Sequence, residues 1–336
     1  MTIKDLAAKT GYAVGTVSRV LNNHPNVSEK ARAAILQAVE ESGFQLNVNA
    51  KQLKQSHATS ILLLVKGTGN ELFSEMVETI QNQLSQTRYP LYVDYMDEES
   101  DEVLRAVQLC REKKPLGILF LGGSGHHFRE NFDKIDIPCV LVTMDASGLG
   151  FDNLSRVCTD DAQAARQAVD QLIAMGHRSF ALIGGPRELS DISCLRYEGF
   201  LASIRTHGIA FDEALDYKTV RFNFQGGYQG TEELLHSGRK FTALLAASDV
   251  MAVGAIRALH DAGLRVPEDV SVMGYDGLPL GEFLVPRLST ISQSGSRMAS
   301  RAVELLLETV EEKGTARHET VPFILNMKES TRDLNN

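Results

Sequence analysis

A chain of 336 residues with a hydrophobic content of 43%, a charged content of 23% and a formal net charge of −9 is long enough for about two domains. Its composition excludes a disordered chain, and its longest apolar runs, such as residues 61–65, are far shorter than the ~18 residues of a membrane-spanning helix. Charged residues interrupt the segment after Met1, so no signal peptide is predicted and we expect the protein in the cytoplasm.

Charge is unevenly divided along the chain. Residues 1–55 contain seven Lys or Arg against four Asp or Glu, so this segment carries +3 while the remainder carries −12. A basic segment on an acidic body is typical of a protein in which only that segment contacts a polyanion. A solvated charged surface would give the same asymmetry, so charge alone does not decide between the two.

The first 45 residues show only a helical period. Thr2 caps a first predicted helix, Gly11 supplies the turn into a second helix over 14–22, and Ser28 caps a third that ends before Gly43. The third helix is predicted to turn four residues inward: Ala31, Ala34, Ile35 and Ala38. Three short helices with a glycine between the first two predict a helix-turn-helix.

The second of these helices has two unlike faces. One face is small and polar: Gly15, Ser18, Arg19 and Asn22. The opposite face is apolar: Val17, Val20 and Leu21. In a helix-turn-helix the second helix enters the major groove of DNA. Small side chains permit that close approach, and Arg19 can bind a guanine edge or a phosphate.

From about residue 58 apolar, strand-like runs alternate with amphipathic helices. Seven runs predict strands buried on both faces of parallel sheets: residues 60–65, 90–96, 117–123, 139–144, 179–185, 242–248 and 270–276. A helix over 161–176 places Ala165, Ala168, Val169 and Leu172 on one stripe. This is more strands than one sheet accommodates comfortably, so we predict an α/β body of two doubly wound lobes, with ligand at the carboxyl ends of the strands.

The segments TVSRVLNN (16–23), MGHRSFALIGGP (175–186), LRYEGF (195–200), VPEDVSVMGYD (266–276) and KESTR (328–332) resemble the LacI/GalR (lac repressor) family of bacterial transcription regulators. The resemblance runs in order along the whole chain. It implies a helix-turn-helix domain over 1–46, a hinge helix over 47–57 and an effector-binding and dimerisation domain over 58–336. The last would comprise two lobes resembling type I periplasmic binding proteins, an N-lobe (58–160 plus 292–320) and a C-lobe (161–291 plus 321–336).

The same resemblance implies a function and its partners. A homodimer would bind double-stranded, palindromic operator DNA, and a small effector, most often a sugar or related metabolite, would bind between the lobes and control it. No heptad tail follows KESTR, so a tetramer built on a terminal coiled coil is not expected. No cofactor, metal or membrane partner is implied.

Ten positions carry the implied DNA contacts: Thr2, Val14, Gly15, Thr16, Ser18, Arg19, Asn22, Asn47, Ala50 and Leu53. Of these, Val14, Gly15 and Arg19 would contact bases, whereas Thr16, Ser18 and Asn22 would mainly contact phosphates. One departure affects the recognition helix, since Ala13 stands where the family has a capping serine.

The polar segment 47–60 has two interpretations. From its residues alone we interpret it as a linker, because it lacks a wide apolar stripe. The resemblance implies instead a hinge helix that folds on DNA, with Ala50 and Leu53 at the minor groove and Leu53 as the wedge that kinks the duplex. Here Leu46 precedes Asn47 where the family has a proline.

Eight positions carry the implied effector contacts: Asn70, Phe73, Thr143, Arg196, Phe222, Ser248, Asp249 and Asp276. Arg196 and Asp276 can bind vicinal hydroxyls or a carboxylate, while aromatic faces suit a sugar ring. Other roles remain open, since Asp249 also fits a helix cap and Arg196 a structural ion pair. Ser248 replaces the family's asparagine, which shortens its reach and leaves the effector's identity open.

Rival functions are a cytoplasmic sugar-processing enzyme and a solute-binding protein of similar fold. Residues 67–72 and 122–127 are glycine-rich but lack a complete phosphate-binding motif, and no catalytic motif is recognisable. We interpret His126 and His127 as loop residues. The four cysteines, Cys110, Cys139, Cys158 and Cys194, have no metal-ligand spacing and are interpreted as reduced core thiols. Neither rival explains residues 1–55, so a regulator without enzymatic activity is expected.

Overall fold

Residues 3–21, 27–42, 59–67, 70–145, 148–187, 190–312 and 314–335 are described by the computed structural model. The chain forms two units, residues 1–57 and 58–336. The first unit contains helices α1 (Ile3–Thr10), α2 (Val14–Leu21) and α3 (Glu29–Ser42). The predicted hinge over 47–57 lies outside the described residues.

The three helices enclose a small core of Leu6, Ala7, Val17, Val20 and Ile35. Gly11 makes the turn between α1 and α2 with a φ of +73°, a value that glycine adopts without strain. Ser28 accepts a hydrogen bond from Ala31 N (3.4 Å), as predicted for the cap of α3.

One prediction for α3 is wrong. Ala34, predicted to face inward, is exposed, whereas Ala31, Ile35 and Ala38 are buried. The buried stripe of α3 is therefore narrower than its alanine content predicts, because the small core of the unit covers only one row of side chains.

The second unit holds two six-stranded sheets. The first has the order β11-β5-β4-β3-β1-β2 with all neighbours parallel, and the second has the order β12-β10-β9-β8-β6-β7 with only β12 antiparallel. The strands are β1 (Ile61–Lys66), β2 (Leu91–Met96), β3 (Gly117–Leu121), β4 (Cys139–Val142), β5 (Leu154–Cys158), β6 (Phe180–Gly184), β7 (Tyr217–Thr219), β8 (Ala243–Ala246), β9 (Ser271–Asp276), β10 (Ser289–Ser292), β11 (His318–Thr320) and β12 (Ile324–Asn326).

Helices cover both faces of each sheet, which is the doubly wound arrangement that the sequence predicts. They are α4 (Glu71–Ser85), α5 (Glu102–Lys113), α6 (Gly125–Asn131), α7 (Asp161–Ala174), α8 (Asp191–Thr206), α9 (Glu213–Asp216), α10 (Phe224–His236), α11 (Asp249–Asp261) and α12 (Gly295–Glu312), with 3-10 turns at Phe132–Lys134 and Pro279–Glu282. None of the helices among the described residues is both long and apolar enough to span a bilayer.

The chain crosses between the sheets three times. Strands β1–β5 belong to the first sheet and β6–β10 to the second, after which β11 returns to the first and β12 to the second. Helix α12 packs against the first sheet, where Met298, Val303 and Leu306 join its core. Two apolar clusters on opposite faces support each sheet, so each sheet is the centre of one lobe.

All seven predicted strands are present in the structure, and six of them are buried parallel strands with continuous apolar runs. The seventh, β2, is a half-buried strand at the sheet edge. Five others, β5, β7, β10, β11 and β12, were not predicted. Most of these are three or four residues long, and several lie at or near a sheet edge, where one partner strand suffices and polar residues are tolerated.

Two helices of the C-lobe approach each other closely through glycine. A Cβ added at Gly254 on α11 would overlap the backbone carbonyl of Phe224 on α10, and one at Gly227 would overlap the carbonyl of Met251. Backbone atoms cannot move aside as a flexible side chain can. The packing of α10 on α11 therefore requires the absence of side chains at these two positions.

We expect Gly254→Ala to destabilise the protein by the roughly 1–3 kcal/mol or more that overpacking costs, because the facing backbone must shift. Denaturant unfolding followed by circular dichroism measures the change. Gly314→Ala is the matched control, since a Cβ there meets no atom within 4 Å. Equal unfolding midpoints for the two variants would show that the helices accommodate the methyl group.

Candidate functional site

A cleft of about 470 Å³ lies between the lobes, where the carboxyl ends of strands from both sheets meet. Its walls include six of the eight predicted effector positions: Asn70, Phe73, Thr143, Arg196, Phe222 and Asp276. The first three belong to the N-lobe and the other three to the C-lobe. Among these six, the cleft brings together side chains up to 206 positions apart in the sequence, Asn70 and Asp276.

Arg196 on α8 is almost fully buried in the C-lobe wall. Its Nε donates to Asp161 Oδ1 (2.8 Å), Asp276 Oδ1 lies 4.0 Å from Nη1, and the guanidinium sits 3.5 Å from the Tyr275 ring centroid. Burial lowers the pKa of Arg196, but the charges of Asp161 and Asp276 outweigh this and hold its pKa above the ordinary value. Arg196 thus forms a structural ion pair and also lines the cleft. The sequence analysis left these two roles open as alternatives.

Asp276 ends β9 with a φ of +119°, a strained value for a residue with a side chain. Its Oδ1 accepts a hydrogen bond from Gln293 Nε2 (2.8 Å). Burial raises the pKa of Asp276 to about 8, although the Arg196 charge acts in the opposite direction. Asp276 thus presents a buried carboxyl group to the cleft, where its oxygens can bind a ligand hydroxyl.

The N-lobe wall combines a capping amide, an aromatic ring and an unpaired hydroxyl. Asn70 Oδ1 accepts from Leu72 N (3.1 Å) at the start of α4, and its amide NH₂ has no hydrogen-bond partner in the part of the chain that the structure describes. The Phe73 ring packs beside Gly122, whose φ is +75°. Thr143 also has a positive φ (+76°), and its buried Oγ1 has no hydrogen-bond partner among the described residues.

Buried polar atoms without partners mark where a ligand can bind, because an unsatisfied buried group is costly. Within the described ranges, Gln293 Oε1 is a second such atom in the cleft, and Ser193 Oγ, close to the Phe222 ring beside Gly185, also has no hydrogen-bond partner. The cleft thus offers hydroxyl and amide groups beside two aromatic rings. This combination recognises a polar ligand that also has an apolar face.

Two predicted effector contacts do not line the cleft. Ser248 is the N-cap of α11 and accepts a hydrogen bond from Met251 N (3.3 Å). Asp249 is fully buried behind the wall, where it accepts from Leu278 N (2.7 Å) and Thr290 Oγ1 (2.6 Å). Burial raises the pKa of Asp249 to about 6, and these hydrogen bonds oppose that rise. The capping role considered for Asp249 therefore belongs to Ser248, and Asp249 holds the loop after β9 against α11.

The sequence analysis missed a charged contact across the mouth of the cleft. Arg221 of the C-lobe donates to Asp97 Oδ1 (3.0 Å) and to Glu98 Oε1 (2.5 Å) of the N-lobe, and Glu99 lies 3.8 Å away. A second bond between the lobes joins Gly125 N to Asp191 Oδ2 (2.5 Å). The acidic run directly after the predicted strand 90–96 was a signal for such a site.

A further missed group is a buried ionic cluster next to the cleft. Lys66 Nζ lies 2.6 Å from Glu102 Oε2, and His127 Nδ1 lies 2.9 Å from the same oxygen. His126 and His127 lie on α6, so their interpretation as loop residues was wrong. Asp101, Glu102 and His127 are close enough to hold a metal ion, but the Lys66 ammonium already forms an ion pair with the Glu102 carboxylate.

Part of the predicted DNA-contacting surface lies among the described residues of the first unit. Gly15 and Arg19 are exposed on α2 and Thr16 is half-buried, opposite the buried Val17 and Val20. A Cβ added at Gly15 would meet no atom within 4 Å. Val14 is the first residue of α2, and Ser18 belongs to the same helix. Thr2, Asn22, Asn47, Ala50 and Leu53 lie outside the described residues.

The helix-turn-helix unit and the two-lobed body are the parts that define a class of regulator. Residues 2–47 match the model of the bacterial regulatory proteins of the lacI family, and residues 169–331 match a periplasmic binding protein-like domain. The chain is 33% identical over 321 residues to the HTH-type transcriptional regulator MalR of Clostridium butyricum, covering 95% of each chain. It is 30% identical over 333 residues to the ribose operon repressor of Halalkalibacterium halodurans, covering 98% and 97%.

Solved structures give the same result. A lac repressor bound to ONPG in the repressed state superimposes with a TM-score of 0.76 at 25% identity, and a complex of the regulator CelR with cellobiose does so with 0.71 at 26% identity. Each comparison covers 98% of this chain and 99% of the other. The chain belongs to the lacI family of bacterial regulatory proteins, and it is a transcriptional regulator.

We expect Arg221→Gln to lower the population with a closed cleft by roughly two- to five-fold, as for the loss of exposed ion pairs. Distances between spin labels on the two lobes measure this population at low salt. The difference from the unsubstituted protein should shrink at high salt, because exposed charges are screened.

Arg265→Gln is the matched control for this measurement, since Arg265 pairs with Asp269 within one lobe. Identical distance distributions for Arg221→Gln and the unsubstituted protein at low salt would mean that Arg221 does not hold the lobes together.

Proposed function

We propose that this regulator binds a palindromic operator as a homodimer and that a sugar or sugar derivative, bound in the cleft, controls the binding. The observation that carries the proposal is the convergence of Arg196 and Asp276 with Phe73 and Phe222 on one cleft. Sugars present vicinal hydroxyls in the plane of the ring and apolar C–H faces above and below it. Directional polar groups beside aromatic faces match both features.

Named relatives support a sugar as the ligand class. One is the ribose operon repressor, and similar solved structures include the CelR complex with cellobiose and a regulator from Enterococcus faecium with bound ribose. The last is 26% identical, with a TM-score of 0.69, and covers 82% of this chain and 100% of its own. The relatives named here are regulators, so we assign no catalytic role to the cleft.

The proposed DNA surface is the exposed face of α2. Gly15 lets the helix approach the groove floor, Arg19 contacts a base edge or a phosphate, and Thr16 contacts a phosphate. We retain the same assignment for Thr2, Val14, Ser18 and Asn22, and we propose a hinge over 47–57 in which Asn47, Ala50 and Leu53 contact DNA. Because operator DNA is in the bacterial cytoplasm, we place the regulator there.

Exposed apolar side chains support the proposed homodimer. Phe283 and Val285, in the loop before β10, are 85% and 95% exposed. Tyr95 on the edge strand β2 and Leu104 on α5 are exposed apolar residues of the N-lobe. Exposed apolar side chains of this size, present on both lobes, fit a surface that another copy of the chain covers. We therefore assign residues 58–336 to both effector binding and dimerisation, with the lobe boundaries given above.

We expect Arg196→Lys to abolish the response to effector. The lysine keeps a positive charge beside Asp161 but lacks the planar fork that binds paired hydroxyls. Operator titrations with and without an added sugar, at one fixed salt concentration, give the ratio of the two dissociation constants. A ratio of about 5–150 in the unsubstituted protein should fall close to one.

Arg287→Lys is the control, because Arg287 pairs with Glu329 away from the cleft. An Arg196→Lys variant that still responds fully would show that the effector binds elsewhere. A protein that binds operator but responds to no sugar would contradict the proposed class of ligand.

We expect Arg19→Ala to cost about 1–3 kcal/mol of operator affinity and to relax the preference at one base pair, as loss of a base contact does. Titration of a set of operators, each with one base pair changed, measures both effects. Lys30→Ala, an exposed position at the start of α3, is the control. An equal loss for every operator would assign Arg19 to a phosphate instead.

A further inference from the structure

The cluster behind the N-lobe wall has a defined hydrogen-bond arrangement. Glu102, the first residue of α5, is fully buried, and its Oε1 accepts from Ser124 N (2.7 Å). Its Oε2 accepts from Lys66 Nζ (2.6 Å) and from His127 Nδ1 (2.9 Å). A carboxylate has only acceptors, so His127 must carry its hydrogen on Nδ1. Every oxygen of Glu102 is therefore satisfied.

Lys66 is not satisfied in the same way. It is the last residue of β1, its side chain is only 9% exposed, and it lines the cleft. An ammonium has three N–H donors, and Glu102 accepts one of them. His127 Nδ1, 3.4 Å from Nζ, is itself a donor and cannot accept another. Among the described residues, two N–H donors of Lys66 therefore have no acceptor.

Stability does not explain why an ion pair occupies this place. Desolvating a lysine and a glutamate is costly, and apolar residues of similar volume are often as stable in such a position. The rest of β1, residues 61–65, is apolar and buried. The polar cluster begins where β1 reaches the cleft, which is where a ligand-binding group is needed.

The charges in the cleft restrict what Lys66 can bind. Three cations line it: Lys66 is paired with Glu102, Arg196 with Asp161, and Arg221 with Asp97 and Glu98. No lining cation among the described residues is left without a carboxylate. A phosphate or carboxylate ligand would enter past the acidic rim and find no free countercharge, whereas an uncharged hydroxyl needs only a hydrogen-bond donor.

We infer that Lys66 is a further effector-contacting residue, which donates to a hydroxyl oxygen and selects uncharged sugars over sugar phosphates and uronates. Glu102 and His127 are positioning residues that hold the ammonium at the end of β1. This inference rests on the proposed function, because it deepens the assignment of the cleft to a sugar.

The test uses the full chain carrying Lys66→Met together with Glu102→Gln. The second change prevents a carboxylate from being buried without its partner, and circular dichroism and thermal unfolding without sugar verify the fold. Lys328→Met with Glu282→Gln is the matched control, since that ion pair lies away from the cleft lining. Lys66→Arg keeps a cation beside Glu102 but moves its N–H donors. If the double variant does not fold, this variant tests whether sugar binding depends on the position of those donors.

The probes are D-ribose, D-glucose, cellobiose and maltose, with D-ribose 5-phosphate, D-glucose 6-phosphate and D-glucuronate as charged counterparts. Thermal shift finds the binders, and titration calorimetry measures their dissociation constants. We expect an uncharged sugar to bind the unsubstituted protein, and the double variant to bind it at least ten-fold more weakly. Lys66→Arg should also lose affinity, and the control pair should not.

Two results would overturn the inference. One is a folded double variant, or Lys66→Arg in its place, that binds the sugar within two-fold of the unsubstituted protein. The other is a phosphate or uronate that binds more tightly than its uncharged parent. If no probe of either class binds, the proposed function fails and this inference fails with it.

Discussion

In a parallel sheet all strands point the same way, so the residues that follow each strand collect at one edge. This constraint brings Lys66, Thr143 and Asp276 to the same cleft, although they end or follow strands in two different sheets. The interiors of the central strands are apolar because helices cover both faces of each sheet. In these strands the polar groups that face the cleft lie at the strand ends, whereas polar side chains inside strands, such as Asp94 of β2, occur towards the sheet edges.

The groups at these ends carry an electrostatic cost. Arg196, Asp161 and Asp276 are all buried, and removing one member of such a group leaves a charge without its partner, at a cost of about 3–5 kcal/mol. The cost is reduced because Arg196 pairs with Asp161 and because Gln293 donates a hydrogen bond to Asp276. These contacts orient the side chains of the C-lobe wall without a ligand, and such pre-organisation lowers the entropy cost of binding.

The contacts between the lobes differ from those within the C-lobe wall. The three crossings of the chain keep the lobes together, but the charged contacts that span the mouth are exposed ion pairs, which are weak and sensitive to salt. A cleft with a weakly held mouth can open and close without disturbing either core. A ligand that binds one of these states better than the other shifts the equilibrium by its differential affinity, and any coupling to DNA affinity is reciprocal.

The parts of this protein that depend on local pattern were predictable from sequence. The seven continuous apolar runs predicted parallel strands, of which all but the edge strand β2 are buried, and the glycine at 11 predicted the turn of the helix-turn-helix. Both signals were readable because period and turn chemistry act over a few residues. Six residues that line the cleft were predicted from the family resemblance. Such a resemblance indicates which distant residues meet in the folded chain, which local sequence patterns do not.

Tertiary structure alone decided the rest. Ser248 and Asp249 are neighbours at a strand end, yet one caps a helix and the other bonds the loop after β9, because the direction of each side chain depends on the packing of α11. The short strands β10, β11 and β12 exist only through their partners. Lys66 meets Glu102 across 36 positions and Arg221 meets Asp97 across 124, and no local pattern encodes such pairs, because chain folding and not sequence spacing sets the distance between them.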